Sequence, residues 1–528
     1  MSSEFVPVFT DPKTGFRLDV SGMKVSAKAL AALTKAPKSG TSLLQKAMEG
    51  MRQIEAGAIK NPDEGRKVTH FSDRLTYCKS PLFKQIEAFA AKIRSEPVLP
   101  GKKKCEYLIV NGIGGSALGP QLMQLVGNGP YWNELPRARR QAPRLYFLDN
   151  TDAAGVTDAL QVVELDKTVL LTISKSGGTQ ETANNTIAMQ AAYKKAGLDF
   201  AKYAVAVTME GSKLDKIAKA EKWLAIFPMA ESIGGRTSET NIVGHVPATF
   251  TGIDFKKFVD GARYMDELTR NESLSGNPAM LLAAMWYIAG EGKGNRNMVI
   301  VPYADHLVLF SRYLQQLVME SIGKEFDLAG KPVYQGLNVF GNKGGTDAHA
   351  FIQQLNDGRD DFFATFIEVL KDSENIPVAE GITIGDYLHG FKAGLVAALR
   401  GKGRQTIEIT IGELDVFTLG MLIALYERAV AIYAEFVNIN AFHQPGVQAY
   451  KLAAGSVNDV ATKLRAWIAK NPAWKGDAVK AAKAIGCAGQ ETVVDGILAK
   501  YAANKRAFGG VKVTMAWKGT TRIFALAK

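Results

Sequence analysis

Residues 173–182 read Ile173-Ser174-Lys175-Ser176-Gly177-Gly178-Thr179-Gln180-Glu181-Thr182, and no other stretch of the chain restricts its fold as tightly. The apolar run Thr168-Val169-Leu170-Leu171 precedes it, and a helix-compatible segment, residues 183–195, follows. A strand therefore hands a hydroxyl- and glycine-rich loop to a helix N-terminus. First-turn N–H groups have no intrahelical partner, and the helix dipole adds partial positive charge, so such a junction suits an anion. Ser174, Ser176 and Thr179 add donors, and Lys175 adds full charge. A phosphate ester is the natural ligand. A plain turn with Thr179 as N-cap explains one hydroxyl, but not three hydroxyls, two glycines and a lysine together.

The same rhythm recurs around this loop. Residues 107–110 read as a strand that ends in Asn111-Gly112-Ile113-Gly114-Gly115-Ser116 and turns into a helix; residues 144–148, 168–173 and 203–208 read as further strands. A second αβ stretch begins near Pro278, with strands expected at 298–302 and 405–412 and helices at 306–322 and 417–435. Strand–helix alternation implies parallel sheets covered on both faces. Before residue 105 the pattern is mixed and largely helical from Ser26, with amphipathic spacing at 43–56 and 82–93. The expected fold is α/β: two αβα sandwiches with parallel-rich sheets, plus a small basic α+β appendage at the C-terminus. The expected segments are 1–104, a largely helical N-terminal part; 105–277, the first sandwich with the phosphate loop; 278–455, the second sandwich; and 456–528, the appendage.

Charge singles out the appendage. The net charge is +12, and residues 452–528 hold 13 Lys/Arg against 4 Asp/Glu, which is nine of those twelve charges. Three expected helices (457–469, 476–485, 491–503) and a hairpin across Lys518-Gly519 resemble a winged-helix pattern, which admits nucleic-acid binding. The plainer reading, a domain that packs on the body or on a neighbouring subunit, is preferred. Three widely spaced cysteines, Cys78, Cys105 and Cys487, form neither a disulfide framework nor a zinc site. No apolar run stands out at the ~20 residues a bilayer requires, and residues 1–15 lack a basic-then-apolar pattern. A cytoplasmic location without membrane contact is expected.

Six segments in chain order resemble the phosphoglucose isomerase family: residues 112–120, 174–182, Gly234-Gly235-Arg236-Thr237-Ser238, 314–324, Gly345-Thr346-Asp347-Ala348-His349-Ala350-Phe351, and 440–451. The resemblance runs from about Tyr107 to Lys451. It implies a sugar-isomerase fold and a cofactor-free, metal-free homodimer that interconverts glucose 6-phosphate and fructose 6-phosphate. Such chemistry moves a proton between C2 and C1 through an enediol. The resemblance makes Glu320 the proton-transfer base. Spacing alone would leave it as an i,i+4 partner of Lys324, and partial burial is expected to raise its pKa. It makes Arg236 the enediolate stabiliser, His349 a ring-opening group supplied by the neighbouring subunit, Lys451 a contact to the ring oxygen, and Gln444 a substrate hydrogen-bonding group. Glu181 is assigned to orient His349. Ser116, Ser174, Ser176, Thr179 and the backbone N–H of Lys175 match phosphate-binding positions, and Gly114 and Gly115 allow close main-chain approach.

There are departures from the family's usual residues at Thr237, Ala348, His443, Pro445 and Gln448. They leave the five proposed catalytic or substrate positions intact, so altered packing and kinetics are expected with the same reaction. A Walker Gly-Lys-Ser/Thr sequence is missing, which argues against triphosphate use. Two other readings stay open: an isomerase of another sugar phosphate such as mannose 6-phosphate, and a non-catalytic sugar-phosphate sensor with a nucleic-acid-binding tail.

Overall fold

Tyr107–Asn111, Thr168–Ile173 and Ala204–Thr208 are buried at every position, as unbroken apolar strands in a doubly covered sheet must be. In the computed structural model, which describes residues 5–37 and 40–528, they form the middle of a five-stranded sheet. Its order is Arg144–Leu148, Tyr107–Asn111, Thr168–Ile173, Ala204–Thr208, Ala225–Pro228, and all neighbours are parallel. The chain leaves Tyr107–Asn111 toward one edge, then returns to its other side at Thr168–Ile173. That reversal opens a crevice beyond the carboxyl ends of these two strands, where ligands of open α/β sheets bind. The two glycine-rich loops emerge there.

The second sheet has six strands. Gln405–Ile411, Phe362–Val369, Asn297–Tyr303 and Val339–Phe340 are mutually parallel. An N-terminal hairpin, Val8–Asp11 with Phe16–Asp19, closes one edge antiparallel to Gln405–Ile411. Phe362–Val369, almost wholly buried at the middle of the sheet, and the hairpin were not apparent from sequence pattern. Residues 1–4, 38 and 39 of the expected N-terminal segment lie outside the described residues.

Val416–Val437 matches the expected helix and is long and apolar enough by composition to cross a bilayer, which the expectation of no membrane-length run overlooked. Its most apolar window is 94% buried inside the protein, so it is a core helix. It carries Glu427 and Arg428 in buried ion pairs with Arg74 and Asp266. The helix expected over 306–322 is interrupted. It runs as Phe310–Leu314, a π-helical turn Gln315–Met319, and Glu320–Ile322.

The chain divides into two compact units, Met1–His443 and Gln444–Lys528. In the second unit, helix Pro445–Lys470 runs without a break through position 455, where the sequence reading ends the second sandwich. Helices Ala478–Ala484 and Glu491–Ala503 follow. The hairpin Val511–Lys518 with Thr521–Ala527 sits inside a four-stranded antiparallel sheet. Leu464, Ile468, Val494, Leu498 and Phe524 fill a separate core.

Candidate active site

The loop after Thr168–Ile173 is held by its backbone. Thr208 Oγ1 donates to the carbonyl of Ser174 at 2.7 Å, and Met209 N to that of Lys175 at 3.0 Å. Gly177 takes φ +64°, and a Cβ there would fall 2.2 Å from Leu214 N, so only glycine fits. Ser176 Oγ accepts from Gly178 N at 3.1 Å, and buried Ser174 donates to Thr179 Oγ1 at 3.4 Å. Thr179 occupies the N-cap position of helix Gln180–Lys195, yet its side chain makes no cap bond. The first turn therefore lacks a side-chain acceptor, which a simple capped helix would have.

The second loop lies on the adjoining strand. Helix Gly115–Asn128, with Ser116 in its first turn, also starts without a side-chain cap. Asn111 Nδ2 donates to Thr182 O at 3.0 Å and ties the two loop–helix junctions together. Gly115 lies so close to the Arg236 turn that an added Cβ would stand 1.8 Å from Gly235 O. Lys175 Nζ donates to Ile233 O at 3.0 Å and to Glu231 O. Burial, with Arg66 nearby, pushes its ammonium down to about 8. The lysine side chain braces the segment leading to Arg236.

Arg236 is buried and fully engaged. Nε donates to Ser321 Oγ at 2.7 Å, and Nη2 to Ala441 O at 2.6 Å and His443 O at 3.1 Å; Nη1 meets Glu320 Oε2 at 3.2 Å. Burial lowers the guanidinium's pKa, and the Glu320 carboxylate raises it back in part. Glu320 keeps 30% of its side chain exposed. Lys324 is not its side-chain partner. Lys324 Nζ instead donates to the carbonyls of Glu320 (2.6 Å) and Ser321 (2.9 Å), satisfying the end of the helix. Burial, then repulsion from Arg236, pushes that ammonium down to about 7. The π turn immediately before Glu320 is a feature found often at functional sites. Glu320 opens onto a cavity of about 350 Å³ that Ile113, Gly114, Gln316 and Arg312 also line. The carboxylate and the second glycine loop, at Ile113 and Gly114, thus face one space.

His349 sits on an exposed turn, Thr346–His349. Among the described residues its ring has no hydrogen-bond partner, so the chain does not bring it to Glu320 or to Glu181. Glu181 stands half-buried in the first turn of Gln180–Lys195. Gln444 and Lys451 belong to the second unit. Gln444 precedes Pro445 at the start of its first helix, and Lys451 lies exposed within that helix.

Sequence reasoning missed Gln316, although it is four residues before Glu320 in the same motif. It also missed a contribution from the N-terminal segment. Arg66 donates to Ser232 O (3.2 Å) and Phe442 O (3.3 Å), and Asn61 Nδ2 to Phe442 O (3.0 Å). Asn440 Nδ2 reaches Asn61 Oδ1 and Asp63 Oδ2. These bonds support the strip of backbone, Ala441 to His443, that accepts from Arg236. Nothing in the local sequence near Asn61 signals this. The ring of His443 is half-buried, and that burial lowers its pKa, with Asp63 Oδ2 3.5 Å away opposing.

The profile of the family described as phosphoglucose isomerase matches residues 51–404. The glucose-6-phosphate isomerase of Geobacter sulfurreducens is 48% identical over 464 residues, covering 85% of this chain and 84% of that protein. That of Trichormus variabilis is 45% identical over 511 residues, covering 93% of each. Such coverage cannot be reached without part of the segment after residue 455, so the tail, which motif comparison had left unmatched, is at least partly shared with that relative. The crystal structure of a glucose-6-phosphate isomerase from Chlamydia trachomatis superposes with a TM-score of 0.74 at 26% identity, covering 85% of this chain and 89% of that one. A chain in which these relatives align nearly end to end, and whose Gly114–Gly115 junction lies against an arginine–glutamate pair, belongs to the phosphoglucose isomerase family.

Proposed function

We propose that this protein is an aldose–ketose isomerase that interconverts glucose 6-phosphate and fructose 6-phosphate. The observation that carries the reading is the Arg236–Glu320 pair at 3.2 Å, whose carboxylate opens onto a cavity that Ile113 and Gly114 also line. The phosphate is held by Ser116, Ser174, Ser176, Thr179, the main chain at Gly115 and the N–H of Lys175. These contacts lie far from the reacting carbons and position the sugar. Glu320 removes a proton from C2 and returns it to C1. The electron pair left behind forms the C1=C2 double bond as the carbonyl pair moves onto O1, and Arg236 stabilises that enediolate. The reaction is internally redox-neutral, so it requires no electron acceptor.

Ring opening is assigned to His349 of a second copy together with Lys451. Glu181 orients the histidine, and Gln444 hydrogen-bonds the sugar. Two features support a homodimer. His349 is exposed and has no hydrogen-bond partner among the described residues of its own chain, and Leu370, Ile376, Val378, Ile384, Tyr387 and Phe391, close together in the sequence, are all exposed large apolar side chains, the composition an interface uses. The basic tail is read as a packing appendage and not as a nucleic-acid arm. A coupled assay offering fructose 6-phosphate and mannose 6-phosphate tests the reading. Turnover of the former alone is expected; turnover of the latter alone would move the assignment to another sugar phosphate. No turnover of either would leave the sensor reading.

A further inference from the structure

Three residues beyond Arg236, Glu239 is 1% exposed. It accepts a hydrogen bond from the hydroxyl of Tyr313, itself 3% exposed. Tyr313 lies in Phe310–Leu314, and Glu320 lies beyond the π turn Gln315–Met319 of the same helical stretch. The Arg236 turn is therefore fastened to that stretch twice: by Arg236 to Ser321 and Glu320 after the π turn, and by Glu239 to Tyr313 before it. A third element closes on the same carboxylic acid. Gly119, in the helix that begins with Gly115 and Ser116, packs so tightly that an added Cβ would lie 2.5 Å from the Cβ of Glu239.

We infer that Glu239 is a positioning residue for the isomerisation, which through its hydrogen bond from Tyr313 fixes the distance and angle between the Arg236 guanidinium and the Glu320 carboxylate. The inference rests on the proton-transfer reading above. A π turn carries one residue more than an α turn, so its register needs outside restraint. Fastening it on both sides against one rigid turn supplies that restraint. The chemistry of the pair fits a bond and not a fixed charge. Burial pushes the Glu239 carboxyl up to about 7, with the Tyr313 bond and the charge of Arg74 opposing. Burial and the adjacent Glu239 raise the Tyr313 phenol well above its ordinary value, so it remains a donor throughout the working range.

The test compares Glu239→Gln, Glu239→Ala and Tyr313→Phe with wild type, measuring kcat and KM for fructose 6-phosphate across pH together with thermal melts. Misplacement of reacting groups by about 1 Å costs up to about 100-fold. Glu239→Ala and Tyr313→Phe are expected to lower kcat by roughly 10- to 100-fold with KM within about threefold, because the phosphate loop is untouched. The acidic limb of kcat/KM, which reports the free enzyme's base, is expected to move in both. Glu239→Gln keeps an acceptor for Tyr313 and is expected to restore both kcat and the limb. If Glu239→Ala does not fold, Tyr313→Phe, which removes one oxygen, decides alone. Wild-type kcat and an unmoved limb in Tyr313→Phe overturn the inference, as does a Gln variant no better than Ala. A wild-type protein without isomerase activity would instead overturn the reaction assignment beneath it.

Discussion

The phosphate loop and the Arg236–Glu320 pair are built by opposite means. The loop is one contiguous stretch whose shape is fixed by its own glycine and by backbone bonds to the next strand. The pair joins residues 84 positions apart, and its arginine is held by three further acceptors, Ser321 beside Glu320 and the carbonyls of Ala441 and His443 from one more segment. A binding end made of local backbone loses affinity in small steps when side chains are trimmed. A reactive end assembled from distant segments fails sharply.

The sharpest way to break this contrast is at the carboxylate. Glu320→Gln is expected to lower kcat by at least about 1,000-fold, within the range typical of general-base loss, while sugar-phosphate affinity stays within a few-fold; calorimetric titration and the coupled assay check both halves. Arg236→Lys keeps a charge but loses the planar fork that reaches Ser321, Ala441 and His443 together. About a 100-fold fall in kcat is expected, with a lower melting temperature because buried carbonyls lose their donor. In the loop, Ser174→Ala or Thr179→Ala is expected to raise KM by roughly 10-fold, about the worth of one hydrogen bond to a charged group, with kcat changed little. A kcat collapse there would erase the distinction between the two regions.

Two smaller effects follow from protonation. Glu239 is held near 7 in the folded state, above the ~4.3 of an unfolded glutamate. The folded state keeps the proton longer, so stability falls as pH rises from about 4.3 to about 7 and is level beyond. Glu239→Gln should flatten that slope in melts taken from pH 5 to 8. Lys175 lies at about 8, and a dianion in the loop favours its charged form. At pH 8, where the phosphate ester is already dianionic, binding is expected to take up a fraction of a proton. Titrations in two buffers of different ionisation enthalpy would show this uptake, and Lys175→Met should remove it.

What was legible in the sequence follows the same division. Four strands of the five-stranded sheet were legible, the three central ones as near-continuous apolar runs, two of which end at glycine-rich loops; the four-residue edge strand Ala225–Pro228 was not read. The loop's ligand class followed from local chemistry. The role of Glu320 came from the resemblance and not from spacing, since Lys324 four residues on suggested a surface pair and proved instead to bind the helix-end carbonyls. Three features were hidden by their non-local origin. The N-terminal hairpin has strands of only four residues and pairs with Gln405–Ile411, nearly four hundred residues away. The supports from Asn61 and Arg66 are ordinary polar residues until Phe442 lies against them. The π turn reflects packing around Tyr313 and Glu320 that no periodicity encodes. The second unit's helices were read well, except that the first extends back to Pro445.

Running the reaction on fructose 6-phosphate in deuterated water and following C1 and C2 of the sugars by NMR puts the decisive question to Glu320. The wild-type enzyme should introduce deuterium at those two carbons during turnover, and the Glu320→Gln protein should introduce none over the same time. Incorporation at the normal rate in the variant would contradict the account, as would full retention of the original hydrogen in every sugar pool while wild-type turnover proceeds.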